Sequence, residues 1–197
     1  MKIGILGGTF NPVHIGHLIL AEETLEKLAL DKIIFIPSYL PPHKDDTDIA
    51  LAKSRLRMLK LAIKGNKNLS VSDIEVRRKG RSYTIDTINA LKTKHPKDDL
   101  YFIIGSDLLK YLDSWKDLDR IMKKVNFIVA TRPGYPLEDI PERISRVDIR
   151  AVDISGFSVR ECIKEGKSFR YLVPEDVFNY INKNKLYQKT NKTLKRC

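Results

Sequence analysis

The chain has 197 residues, 42% of them hydrophobic, and carries 36 Lys and Arg against 25 Asp and Glu for a formal charge of +11. That size and apolar content suit one α/β domain with its own core, and no apolar run is long enough to cross a bilayer. The positive excess is largely local: 183–197 holds Lys183, Lys185, Lys189, Lys192, Lys195 and Arg196 and no acid, so removing those six charges from +11 leaves +5 for the body. A modest excess on the body suits a protein that handles small polyanions and argues against a nucleic-acid-binding module, which needs a basic stripe with aromatics on its folded part.

In chain order, Ile3-Gly4-Ile5-Leu6 predicts a short buried strand over 2–6, and 17–28 an amphipathic helix. A strand follows over 32–36, a helix over 54–63, a strand over 69–76 and a helix over 84–94. The second half predicts a strand over 100–104, helical turns over 108–112 and 118–123, and strands over 126–130 and 149–152. Between those two strands, Pro141-Glu142-Arg143-Ile144 reads as a short helical excursion with Pro at its start. Helices over 159–165 and 174–182 complete the series. Strands that alternate with helices build a parallel sheet covered on both faces, a Rossmann-like doubly wound α/β fold. The expected organisation is a single domain over 1–187, with a small helical end-piece at 174–187 and a basic tail over 188–197 that frays in solvent. Cys162 and Cys197 are the two cysteines, the second the last residue of a polar tail, so no structural disulfide is expected and a reducing cytoplasm fits. Met1 stands one residue before the first strand, which leaves little room for a targeting segment.

The unusual residues cluster after strands. Gly7-Gly8-Thr9-Phe10 follows the first, Pro37-Ser38 and Pro41-Pro42-His43-Lys44 the second, and Gly105-Ser106-Asp107 the strand over 100–104. Thr131-Arg132-Pro133-Gly134 follows the strand over 126–130, and Ser155-Gly156-Phe157-Ser158-Val159-Arg160 the last. In a parallel sheet these ends share one edge, where ligands bind, so the segments converge on one site.

The most specific run is Gly7-Gly8-Thr9-Phe10-Asn11-Pro12-Val13-His14-Ile15-Gly16-His17. A glycine turn lets a ligand approach the backbone, and the helix N-terminus behind it offers free N–H groups and partial positive charge to an anion. His14 and His17, three apart, share a helix face and add side-chain donors. The spacing is neither a dinucleotide glycine fingerprint nor a P-loop. Lys44, presented after two prolines, can act as a point charge on phosphate or as a solvated loop lysine. Ser158 and Glu161 have capping-box spacing, so the helix is expected to begin there with Arg160 in its first turn, a clamp for polyphosphate. Asp107 can accept from ribose hydroxyls or cap a helix, and Trp115 can stack on a ligand ring or pack half-buried. Thr84 or Ser82 caps the helix over 84–94, where free N–H groups can receive a carboxylate. No nucleophile triad or metal-ligand cluster is visible, which leaves a hydrolase poorly supported.

The His14-Ile15-Gly16-His17 arrangement resembles the motif of the nucleotidylyltransferase superfamily. Together with Pro41-Pro42-His43-Lys44, Ser82-Tyr83-Thr84-Ile85-Asp86-Thr87, Gly105-Ser106-Asp107, Trp115 and Arg132-Pro133-Gly134, it makes the chain similar to bacterial nicotinate-nucleotide adenylyltransferases from residue 1 to about 187. The resemblance implies transfer of AMP from ATP to nicotinate mononucleotide, with Mg²⁺ riding on the substrate phosphates and no protein-bound metal. It implies that His17, His14, Lys44 and Arg160 serve catalysis. Gly7, Gly8, Thr9, Phe10, Gly105, Asp107, Arg132, Ser155 and Ser158 would join His14, His17 and Arg160 around ATP. Asn11, Lys44, Thr84 and Trp115 would hold the mononucleotide. Nicotinamide mononucleotide or phosphopantetheine as acceptor is the same-fold alternative, and a homo-oligomer stays open. One departure stands in the last motif, where Phe157 occupies the place of the family's threonine and Ser158 is the neighbouring hydroxyl.

Overall fold

The computed structural model describes residues 1–41, 49–136 and 140–189. Its six strands are β1 (Lys2–Gly8), β2 (Lys32–Pro37), β3 (Leu69–Val71), β4 (Asp99–Gly105), β5 (Asn126–Ala130) and β6 (Ile144–Val147). They form one sheet in the order β3-β2-β1-β4-β5-β6, and every neighbouring pair is parallel. The helices are α1 (Ile15–Lys27), α2 (Ala52–Ala62), α3 (Ile74–Arg78), α4 (Thr84–Lys94), α5 (Leu118–Met122), α6 (Gly156–Lys164) and α7 (Glu175–Lys183), with a 3-10 helix at Ser106–Ser114. The chain order reverses between β1 and β4, so loops leaving those strands splay apart and open a crevice at their C-terminal ends.

Successive side chains of a strand point to opposite faces, and the two cores follow that alternation. Ile33 and Phe35 of β2 join Ile103 and Ile128 in a cluster covered by Ala21 of α1, Met58 and Leu59 of α2, Val159 of α6, and Val177 and Ile181 of α7. Ile34 and Ile36 join Leu100, Phe102, Ile104 and Phe127 on the other face, under Ile85, Ile88 and Leu91 of α4, Leu112, and Ile121 of α5. Each fully buried side chain of this kind is worth about 1.5–3 kcal/mol relative to exposure. Because α7 packs against α2 and shares the first cluster, the last described turns return to the face that carries α1 and α6.

The structure corrects five readings of the sequence. The strand expected over 69–76 stops at Val71, and residues 74–78 form α3. There Glu75 is buried and accepts a hydrogen bond from Thr87 Oγ1 at 2.6 Å, so its alternation with Ile74 and Val76 reflects a tertiary partner, not a strand period. The last strand is β6 and not 149–152, and the expected helical turn at 141–144 is only a tight turn, Ile144 N–H to Pro141 O, that leads into β6. Ile144 and Val147 fill the core at that edge, whereas Ile149 is tied to Thr131, whose Oγ1 accepts its N–H at 2.9 Å. The residue before α4 is Tyr83, with no side-chain cap, and the Ser82 hydroxyl accepts the N–H of Tyr39 instead. The fifth correction, at α6, belongs to the site. The tail beyond residue 189 lies outside the described residues.

Candidate active site

The turn after β1 delivers both histidines. Phe10 adopts φ 50, which lets its ring turn inward, 5.7 Å from Phe35 and 4.9 Å from His17 between centroids. His14 is the residue before α1, and its N–H donates to His17 Nδ1 at 3.2 Å. A ring nitrogen that accepts carries no proton, so neutral His17 holds its proton on Nε2. The two rings stack at 3.7 Å between centroids. A Cβ at position 16 would stand 3.1 Å from His14 Nδ1, so any larger residue there would press on the stack. Burial, then the charge of Arg132, lowers the His14 pKa to about 3. Burial, His14 and Arg132 together hold His17 well below its ordinary range. Both rings are therefore neutral near pH 7 and act as hydrogen-bonding groups. His14 is 5% exposed, and its Nδ1 has no partner among the described residues.

A second helix N-terminus meets this turn. The residue before α6 is Ser155, not Ser158: Ser155 Oγ accepts the Ser158 N–H at 3.0 Å, and Ser158 Oγ accepts the Ser155 N–H at 3.1 Å. The capping box is thus Ser155 with Ser158 rather than Ser158 with Glu161, which starts the helix three residues earlier and moves Arg160 out of the first turn. Arg160 is buried and donates from Nη1 to Asn11 O at 2.8 Å. A Cβ at Gly156 would lie 2.8 Å from the same carbonyl, so only glycine allows α6 to approach the turn this closely. Phe157 points outward at 64% exposure, with the Arg160 guanidinium 6.0 Å from its ring centroid.

Between these helices and the ends of β1, β4 and β5 lies a cavity of about 740 Å³, within the size range of small-molecule sites. Gly7, Gly8, Thr9, Phe10, Asn11, His14 and His17 line it from one side, and Gly105, Asp107, Arg132, Ser155, Phe157 and Arg160 from the other. Arg132 Nη1 donates to Asp107 Oδ2 at 2.8 Å, so Asp107 pairs with an arginine and makes no capping bond. Asn11 also braces the fold, because its Oδ1 accepts from Ala50 N–H at 3.0 Å and from the Tyr187 hydroxyl at 2.8 Å.

Three expected residues stand apart from the cavity walls. Ser158 is engaged in the α6 cap. Trp115 is half-buried with its ring edge-on to Phe102 and Phe127, at 5.8 and 6.1 Å. Thr84 begins α4, beside the bridge between Leu40 and Arg81 that joins the approach to α4 with the loop after β2. Lys44, with Pro42 and His43, lies outside the described residues. The reading of the sequence missed the interior supports, above all Arg55, which is 1% exposed on α2. An arginine in an amphipathic helix reads as a solvent-facing residue, and two of its three carbonyl partners, on Thr9 and Tyr39, come from other segments, so no local signal marks it.

His14, His17, Arg160 and the N-termini of α1 and α6 meet at one cavity, an arrangement that can hold a polyphosphate chain, with Arg132 ion-paired to Asp107 beside it. Among the described residues, no group of three or more His, Cys, Asp or Glu could hold a metal ion, and no helix is long and apolar enough to cross a membrane.

A family described as cytidylyltransferase-like matches residues 5–162. The chain is 45% identical over 187 residues to a probable nicotinate-nucleotide adenylyltransferase of Enterococcus faecalis, covering 95% of this chain and 85% of that one. It is 42% identical to the nicotinate-nucleotide adenylyltransferase of Bacillus subtilis, covering 95% and 98%. Among solved structures, a Plasmodium falciparum nicotinic acid mononucleotide adenylyltransferase complexed with NaAD superposes with a TM-score of 0.80 over 94% of this chain and 97% of that one, at 20% identity, a likeness of fold. With its parallel sheet, its paired histidines and relatives of this closeness over nearly its whole length, the chain belongs to the nicotinate-nucleotide adenylyltransferase family.

Proposed function

We infer that the protein transfers AMP from ATP to nicotinate mononucleotide, forming nicotinate adenine dinucleotide and releasing pyrophosphate. The phosphate of the mononucleotide attacks the α-phosphorus of ATP in line, one P–O bond forms, and the bond to pyrophosphate breaks. No protein nucleophile takes part, so rate enhancement comes from positioning and from neutralising charge as it develops. The observation that carries this reading is the neutral histidine pair aimed into a cavity flanked by Arg132 and Arg160.

In this mechanism His17 Nε2–H donates to the α-phosphate oxygen. His14, Arg160 and Lys44 hold the phosphate chain and the leaving pyrophosphate. Gly7 to Phe10, together with Ser155 at the α6 N-terminus, present backbone to the triphosphate, and Ser158 serves it through the cap. Gly105, Asp107 and Arg132 frame the adenosine. Mg²⁺ enters as part of the MgATP substrate, since it keeps most of its ligands on phosphate and water. The acceptor lies toward Asn11, Lys44, Thr84 and Trp115, with the nicotinate carboxylate at the N-terminus of α4. Phe157 in place of a threonine leaves the α6 clamp to backbone N–H groups and Arg160.

The test is pyrophosphate release with MgATP and, separately, nicotinate mononucleotide, nicotinamide mononucleotide and phosphopantetheine. Release with the first well above the other two is expected. Release only with another acceptor would overturn the substrate assignment, and release with none would overturn the activity.

A further inference from the structure

Arg55 is the largest fully buried side chain in the molecule's described part, and it carries a charge. Its guanidinium sends three hydrogen bonds to three backbone carbonyls: Nη1 to Thr9 O at 2.7 Å, Nε to Ala50 O at 2.9 Å and Nη2 to Tyr39 O at 3.0 Å. None of those three residues belongs to a strand of the sheet or to a helix. Thr9 lies in the nucleotide turn and lines the cavity. Tyr39 lies in the loop after β2, and its N–H donates to Ser82 Oγ at 2.9 Å. Ser82 in turn lies close enough to the buried Glu75 carboxylate to favour its charged form, and that carboxylate receives Thr87 Oγ1 from the first turn of α4 at 2.6 Å. A continuous polar chain thus runs beneath the surface from the nucleotide turn to the N-terminus of α4.

Burying a guanidinium is costly unless its donors are satisfied, and an apolar side chain would pack α2 on the sheet without that cost. What an apolar residue could not do is fix three irregular segments to one rigid plane. Arginine suits that task because its donors form a fixed fork, whereas lysine offers a flexible point charge.

We propose that Arg55 is a positioning residue that couples the two substrate subsites, holding the nucleotide turn at Thr9 and, through Tyr39, Ser82 and Glu75, the start of α4. The proposal rests on the reading that α4 receives the acceptor mononucleotide. Its consequence is mutual: each substrate tightens the other by the same factor, because coupling between two binding equilibria is reciprocal.

The experiment measures the dissociation constant of a non-hydrolysable MgATP analogue, without and with saturating nicotinate mononucleotide, for wild type, Arg55→Lys and Ser82→Ala. Wild type should bind the analogue roughly fivefold or more tightly when the mononucleotide is present, within the usual range of allosteric coupling. Both variants should bring that ratio close to one. Ser82→Ala removes a hydroxyl outside the nucleotide cavity, so its affinity for the analogue alone should stay within about twofold of wild type, an order-of-magnitude expectation for a site it does not touch. If Arg55→Lys fails to fold, Ser82→Ala still decides the matter. A wild-type ratio near one, or a ratio unchanged in the folded variants, overturns the coupling. Absence of pyrophosphate release by wild type with nicotinate mononucleotide would instead overturn the substrate reading on which it rests.

Discussion

His17 shows how neighbours fix the protonation and orientation of one side chain. Its Nδ1 is occupied by the His14 N–H, and its ring is held between His14 and Phe10. Only Nε2–H is left for a substrate oxygen. His17→Ala is expected to cut turnover by roughly tenfold or more, as loss of one preorganised donor does, while the thermal unfolding midpoint stays near that of wild type; near-normal turnover would remove His17 from the mechanism. The same burial predicts a pH effect on stability. His14 has a folded pKa of about 3 against 6.5 when free. Between those values the unfolded chain binds more protons than the folded one, so stability is full above about pH 6.5 and declines as pH falls through the interval. Urea unfolding at pH 7 and pH 5 should show this loss in wild type and a smaller one in His14→Asn. At this scale the pairing of the histidines was legible in the sequence, because residues three apart across a helix start lie on the same side of it. Their neutrality was not, because Arg132 and the walls that desolvate them come from other parts of the chain.

Among the elements, the meeting of α6 with the turn after β1 shapes one end of the cavity. Gly156 makes that meeting possible, since a Cβ there would press on Asn11 O at 2.8 Å. Backbone at that distance cannot move aside as a flexible side chain would. Gly156→Ala should cost about 1–3 kcal/mol, the usual range for overpacking, and should also raise the KM for ATP; calorimetry and steady-state kinetics check the two parts. Unchanged kinetics in a destabilised variant would separate α6 from the nucleotide site. The start of α6 is also where reading the sequence went astray. Ser158 and Glu161 present capping-box spacing, yet Ser155 and Ser158 form the box because Arg160 must reach Asn11 O and Val159 must enter the core. Both candidate starts satisfy local rules, and the tertiary contacts choose between them.

For the whole molecule, the chain closes on itself near its described C-terminal end. The Tyr187 hydroxyl donates to Asn11 Oδ1 at 2.8 Å, across 176 positions of sequence, and burial pushes the phenol pKa up. Tyr187→Phe keeps the ring and removes that bond, so a loss of about 1 kcal/mol is expected, measured by urea unfolding; an unchanged midpoint would show that the bond adds no net stability. The alternation of strands and helices and the placing of glycine, proline and histidine after strand ends were determined by sequence alone. Period-two and helical patterns are local, turn residues act within a few positions, and a parallel sheet brings all its strand ends to one edge. Tertiary structure alone decided where the edge strand β3 ends, where the edge strand β6 lies, which serine caps α6, and why Arg55 and Glu75 lie buried. The physical reason is common to all of these: an edge strand or a buried polar group is stable only when its partner is present, and here those partners lie far away in the chain.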